Sequence, residues 1–523
     1  MVAFGGDGAS VTSLEESSSD VLEEVLQEES TIIDLVDGKL LINLQQYVDM
    51  VAGKAISIQS SRLDLEQARL SVGNELGVFD PEITLSVTRD SINERNTVQE
   101  ALTRSSLSEF IQYQTKMEAG ISKKFSTGTE VSLTGSMAKL NQNIQPDFLR
   151  GEERVFYAGV SLTQSLLKDA GKASAFGLRQ AEKQVDIAQQ EFREAASDEV
   201  LKAVNAYWDL YTRQESLQAK VGNLESLESL YQNGKELVLK GRMSANDLLI
   251  LETRLFSAKT LVNNAYQEAQ VATQELKKYI AVSALAEDYL IELASEGIDY
   301  DSLMSLALPE ADLSMQRVLL SNPEYIASKL RAEREQIRLV YAKNQKLPEL
   351  DLIASYGVNG LGTSSSGSSS DAFEGDHPSW SVGVVFKTSL FNQKAKSQYG
   401  IASAQKQQAL LAIKENEIRL ANDVASQALR MNTHYENALT FSKIQEINDK
   451  MYKAAKGSFE RGLIGVNQLI ESEQRCMQST EKTVRSVAEY QKSLYGMKRL
   501  EGALEDVFNM SEFKVLQSAV GIQ

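Results

Sequence analysis

Two spacings of apolar residues take turns along this chain. Leu248, Leu251, Leu255, Ala258, Val262, Ala265, Ala269 and Ala272 follow steps of three and four, the seam of a coiled coil. Leu201, Val204, Trp208 and Tyr211 repeat it upstream, and Ile470, Met477, Val484, Val487 and Leu494 keep part of it downstream. Runs of strong helix formers such as Ala181–Gln190 and Ala402–Leu411 lie in two stretches, 147–308 and 379–523, that contain no proline. The pattern predicts helices over about 168–239, 243–281, 393–460 and 467–503, with shorter ones over about 41–75 and 323–345.

Between these blocks the period falls to two. Ile83, Leu85 and Val87 alternate with Thr84, Ser86 and Thr88 directly after Pro81, as strands do. The alternation returns at Met117, Ala119 and Ile121, at Val131 and Leu133, and at Ala158, Val160 and Leu162. In the second half it recurs at Leu350, Leu352, Ala354 and Tyr356, then at Trp380, Val382, Val384 and Phe386. One apolar and one small polar face suit a soluble sandwich or a lipid-facing barrel equally. The connections separate them: Ser126–Thr129 reads as a tight turn, whereas 89–115, 138–154 and the Ser-rich 359–379 read as long polar loops, the asymmetry of an outer-membrane barrel.

The order helix, Pro-led strand, strand, long helix, glycine, helix occurs twice. Phe79–Leu85 parallels Lys346–Leu352, and Lys240-Gly241 with Asn246, Leu249, Glu252 and Arg254 parallels Arg461-Gly462 with Asn467, Ile470, Glu473 and Arg475. Two structural repeats are expected, over 39–322 and 323–523, preceded by an acidic flexible segment over 1–38. At 1.5 Å per residue the helix over 168–239 is roughly 110 Å long, and those over 41–75 and 243–281 each reach about half of that. The predicted class is mixed α+β, with one long helix leading away from the strands and shorter ones returning antiparallel to it.

Charge and composition narrow the functions. The 54 Lys and Arg against 72 Asp and Glu leave a net charge of -18, which disfavours nucleic acid. One cysteine, Cys476, and two distant histidines, His377 and His434, offer no metal cluster. No run of about twenty apolar residues exists for a membrane-spanning helix, a test that β-barrels escape. No basic segment followed by an apolar stretch opens the chain, so no export signal is read, and no early cysteine awaits a lipid. Carboxylates are spread along helices without a nucleophile beside a placed base, and no phosphate-cradling glycine loop is present, so neither an enzyme nor a cofactor is expected.

The duplicated order, with its strand ending in Leu162–Leu167 and its hairpins at Gly241 and Gly462, resembles the TolC-like outer-membrane efflux factors over about residues 40–505. The resemblance implies a homotrimer: strands from three chains closing one transmembrane β-barrel in outer-membrane lipid, continued by a long periplasmic α-helical barrel of antiparallel coiled coils. It implies a passive export channel of a tripartite efflux or type I secretion system, served by a periplasmic adaptor (membrane fusion) protein and an inner-membrane transporter. Four strands in the first repeat, where the family usually has two, would make the trimer barrel about eighteen strands rather than about twelve if the extra hairpin inserts. The resemblance assigns adaptor contact to the periplasmic tips, Gly241, Arg242, Gly462, Leu463, Ile464 and Gly465. It assigns an aperture gate to Asn246, Asp247, Phe459, Asn467 and Glu471, whose carboxylates in threefold rings would favour cations. The competing reading is a non-transporting coiled-coil stalk of a surface assembly, which explains the heptads but not the duplicated strands.

Overall fold

The computed structural model describes residues 39–104, 106–144, 153–281, 290–293 and 311–509. The acidic segment expected over 1–38 lies outside these residues. In chain order the elements are β1 (Lys39–Ile42), α1 (Leu44–Lys54), α2 (Ile56–Leu76), β2 (Glu82–Arg95), α3 (Val98–Thr103), β3 (Glu109–Lys124), β4 (Thr129–Gln142) and β5 (Glu153–Ser165). There follow α4 (Phe176–Leu239), α5 (Ala245–Tyr279), β6 (Leu290–Leu293), α6 (Ala311–Ser321), α7 (Pro323–Asn344), β7 (Glu349–Gly362), α8 (Ser365–Glu374), β8 (Pro378–Lys387), α9 (Gln393–Glu460), α10 (Val466–Leu500) and α11 (Leu504–Val507). They form two compact units. One comprises the described residues within Met1–Ala55, Lys202–Ala307 and His434–Lys492, the other those within Ile56–Leu201, Leu308–Thr433 and Ser493–Gln523.

The second unit carries the sheet. Its six strands run in the order β2-β3-β4-β5-β7-β8, every neighbouring pair antiparallel. The extra hairpin β3–β4 therefore lies within the sheet and in continuous register, not outside it. Its turn is tight because Gly128 takes φ +84, a left-handed conformation that a side chain would strain. The connections expected to be loops are shorter than the sequence suggests: β2 runs on to Arg95 and β4 to Gln142.

The segment 359–379 is corrected more fundamentally. Its serines form α8, capped by Ser364, whose hydroxyl accepts from Gly367 N at 3.0 Å, and ended by Gly375 at φ +82. Poor helix formers hold this helix because it docks on β7: a Cβ at Gly362 would lie 2.6 Å from Ser368 N. Phe373 also meets Phe156 of β5 with ring centroids 5.7 Å apart.

The long helix α4 starts at Phe176, eight residues later than the expected 168. Asp169 at φ +60 and Gly171 at φ +57 forbid helix there, and Asn344 fixes the corner by donating to Leu167 O at 2.9 Å and accepting from Asp169 N at 2.8 Å. Beside it, Val318, Tyr325, Leu420, Val424, Ala428, Met497 and Leu500 form an apolar core. The buried Glu501 carboxyl closes that core. Burial opposes its ionisation, but hydrogen bonds from Ser314 at 2.7 Å and Lys498 at 2.9 Å outweigh it and hold the group below the usual range.

In the first unit α5 buries Leu251, Leu255, Ala258, Ala265 and Ala269, part of the seam read from the sequence, and Leu255 and Ala258 cluster with Leu227 of α4. The helix expected over 41–75 is broken in two: Ala55 turns to φ -65, ψ 121. Its first residues instead give β1, which pairs in parallel with β6. Gln214 from α4 closes the β6 edge, donating to Ile291 O at 2.8 Å and accepting from Leu293 N at 3.2 Å. No described helix is long and apolar enough to cross a membrane.

Candidate functional site

Three features of the two units bear on function: one face of the sheet, two helical turns, and a buried ion pair between helical hairpins.

The strand register assembles a single apolar row from six separate alternations. Ile83 pairs with Ile121, Ile121 with Leu133, Leu133 with Val160, Val160 with Tyr356, and Tyr356 with Trp380. All six side chains are exposed, Ile83 at the β2 edge by 68% and Trp380 at the β8 edge by 73%. The next row, on the opposite face because successive side chains alternate, reads Thr84, Gly120, Thr134, Gly159, Gly357 and Ser379. Small and polar residues thus line one side and large apolar ones the other, across the whole width. The helix α8 docks on this same face farther along β5 and β7, over Phe156, Gly360 and Gly362, but the row itself stays uncovered, and an exposed apolar strip this wide is unstable against water.

The two turns expected as tips share one geometry. Gly241 N donates to Val238 O at 2.9 Å and Arg242 N to Leu237 O at 2.8 Å; Gly462 N donates to Phe459 O at 2.8 Å and Leu463 N to Ser458 O at 2.9 Å. These are Schellman closures, with φ +66 at Gly241 and φ +74 at Gly462. A Cβ would meet nothing within 4 Å at Gly241, Gly462 or Gly465, so conformation alone requires glycine at the first two, and nothing in the single chain requires it at Gly465. Arg242 and Leu463 are exposed and Ile464 half-buried.

The expected gate residues flank these glycines: Phe459 stands three residues before Gly462, and Asn246, Asp247, Asn467 and Glu471 follow within about three turns. Asn246 and Asn467 are exposed, and Phe459 is half-buried. Asp247 completes the cap of α5: its N–H donates to Ser244 Oγ at 3.0 Å, and that hydroxyl donates to Asp247 Oδ2 at 2.9 Å. Glu471 pairs with Arg475 one turn along α10. Among the described residues no hydrogen bond or ion pair joins the first hairpin's gate residues to the second's.

Sequence reading passed over the most buried charge in this region. Glu473 on α10 is almost fully buried, with Arg254 Nε of α5 3.7 Å from its Oε2. Burial pushes its carboxyl above the ordinary range, while the Arg254 charge and a hydrogen bond with Asn223 act the other way. Nearby, Tyr452 approaches Ser226 at 3.3 Å, joining α9 to α4. The Cys476 thiol donates to Asp449 at 3.0 Å and is pushed up to about 12, first by burial and then by Asp449, so it is not a reactive thiolate at neutral pH. The only sequence trace of this cluster was the duplication of Glu252 and Arg254 at Glu473 and Arg475.

Residues 315–502 match the family model for outer membrane efflux proteins. In fold the chain is similar to the CmeC outer membrane channel of Campylobacter jejuni, with a TM-score of 0.60 and 15% identity over 90% of this chain and 89% of that one. It is similar also to the open state of the Neisseria gonorrhoeae MtrE outer membrane channel, with a TM-score of 0.58 and 14% identity over 88% and 89% of the two chains. A third similarity is to CusC, crystallised in conformations that accompany folding and transmembrane channel formation, with a TM-score of 0.62 and 12% identity over 90% and 95%. No curated protein gives a significant sequence match. The matched segment contains the whole second hairpin with its Gly462 turn, and the chain as a whole shares the fold of these outer-membrane channels.

Proposed function

We propose that three copies of this chain form a passive export duct, their sheets joined edge to edge into one outer-membrane barrel of about eighteen strands and their helices continuing it through the periplasm. The observation that carries this reading is the apolar row from Ile83 to Trp380, which is unbroken from one free sheet edge to the other. Lipid satisfies such a face, and a neighbour's edge strand satisfies the unpaired backbone groups of β2 and β8. The small polar row on the other face then lines a water-filled lumen.

At the far end the Gly241 and Gly462 turns present Arg242, Leu463 and Ile464 to a periplasmic adaptor, through which an inner-membrane transporter delivers cargo and supplies the energy. Just inside them Asn246, Asp247, Phe459, Asn467 and Glu471 constrict the lumen, and rings of Asp247 and Glu471 favour cations. Reconstitution of the purified protein into a planar bilayer tests this. Cation-selective channels together with a trimeric native mass in detergent are expected; a monomer without conductance would overturn the duct.

A further inference from the structure

The two helical hairpins carry the same three-residue set at the same spacing from their turn glycines. Tyr231 and Tyr452 stand ten residues before Gly241 and Gly462, Glu252 and Glu473 eleven after, and Arg254 and Arg475 thirteen after. The helices α5 and α10 that carry the charges are both 35 residues long. Within one chain only one cross-hairpin combination forms, Arg254 of the first hairpin on Glu473 of the second. The other half of the set is left over: Glu252 accepts a hydrogen bond from Tyr231 of its own hairpin, and Arg475, with 52% of its side chain exposed, reaches only to Glu471 on its own helix.

Apolar residues on the same helices split the same way. Inside the chain α4 meets α10 through Ser216–Glu481 at 3.1 Å and Lys492–Asp209 at 2.6 Å. Aligning the two glycines places exposed Met451 of α9 on buried Leu230 of α4, and exposed Tyr266 of α5 on buried Val487 of α10. The faces of α9 and α5 that remain open in one chain are the counterparts of faces already covered within it.

We propose that a second copy of this chain covers them, and that Arg475 of one protomer pairs with Glu252 of the next, repeating between chains the Arg254–Glu473 pair made within each. The inference rests on the trimeric reading and adds the register of its helical seam. Six alternating contacts around the tube, three within protomers and three between them, then share one ion pair of one design.

Cross-linking tests it in a full-length chain carrying Cys476→Ser. Glu252→Cys with Arg475→Cys is treated in detergent with a short bis-maleimide, beside Arg254→Cys with Glu473→Cys as an intrachain yardstick of the same geometry. Covalent dimers and trimers are expected from the first pair and internally linked monomers from the second. A trimeric native mass with links only in the yardstick would overturn the proposed register and leave the trimer standing, whereas a monomeric native mass would overturn both. As a second measure, Arg475→Glu lowers the temperature at which the trimer dissociates and Glu252→Arg in the same chain restores it; failure of that rescue contradicts the pairing.

Discussion

Gly159 and Gly357 stand opposite each other in the β5–β7 ladder, and the ring of Tyr157 lies across both. A Cβ at Gly357 would come within 2.5 Å of Tyr157 Cε2, so the paired glycines make the room that the aromatic ring fills on the polar face. Gly357→Val should destabilise the sheet by about 1–3 kcal/mol through overpacking. Tyr157→Ala should relieve part of that cost, so the two changes together cost less than their sum. Urea midpoints of the four proteins decide it, and strict additivity would mean the ring is not the obstacle.

Glu473 sets a pH dependence whose sign follows from burial. Its raised value means the folded chain holds a proton where the unfolded carboxyl, near 4.5, has already lost it. The resulting stability is full below that ordinary value and is lost as pH rises through the raised one. Glu473→Gln should flatten the slope of urea midpoint against pH in the weakly acid range. Arg254→Ala, which leaves the buried carboxylate without its cation, should cost about 3–5 kcal/mol at neutral pH and much less in acid.

How far the sequence discloses these features depends on the range of the forces behind them. The strands were legible because Ile83–Val87 and Trp380–Phe386 carry a period of two that local side-chain geometry imposes. The seam from Leu251 to Ala269 was legible for the same reason at helical period. The helix α8 was not, since its serines and glycines have no helical pattern and are held by the space left at Gly360 and Gly362 on a strand that pairs elsewhere. Nor was the β1–β6 pair, four residues each, joined across most of the first half of the chain. Among site residues, the glycine turns announced themselves by their flanking helices. The Arg254–Glu473 pair did not, because nothing local links two residues so far apart in sequence.

The Gly462 turn should tolerate no branched side chain. At φ +74 a valine costs about 1–3 kcal/mol of local strain, enough to open the turn without unfolding helices that are packed along their length. Gly462→Val should therefore abolish or weaken export in cells while the native mass of the assembly is unchanged. Gly465→Ala, where φ is unexceptional and the surroundings are open, should fold normally, so any loss of export there reports adaptor contact.

Asp247 has two roles to separate, the α5 cap and the proposed gate. Asp247→Asn keeps an oxygen for Ser244 and removes the charge; Glu471→Gln does likewise on the second hairpin. The paired substitution should leave thermal stability within about 0.5 kcal/mol and reduce the cation preference of single channels. Unchanged reversal potentials would remove both carboxylates from the constriction.

Single-particle electron microscopy of the detergent-extracted protein tests the central claim most directly. A threefold barrel of about eighteen strands, with β3–β4 in its wall, β8 of each chain against β2 of the next, and a detergent belt on the row from Ile83 to Trp380, is the predicted result. A monomer, or a barrel of about twelve strands with the β3–β4 hairpin outside it, would contradict the account.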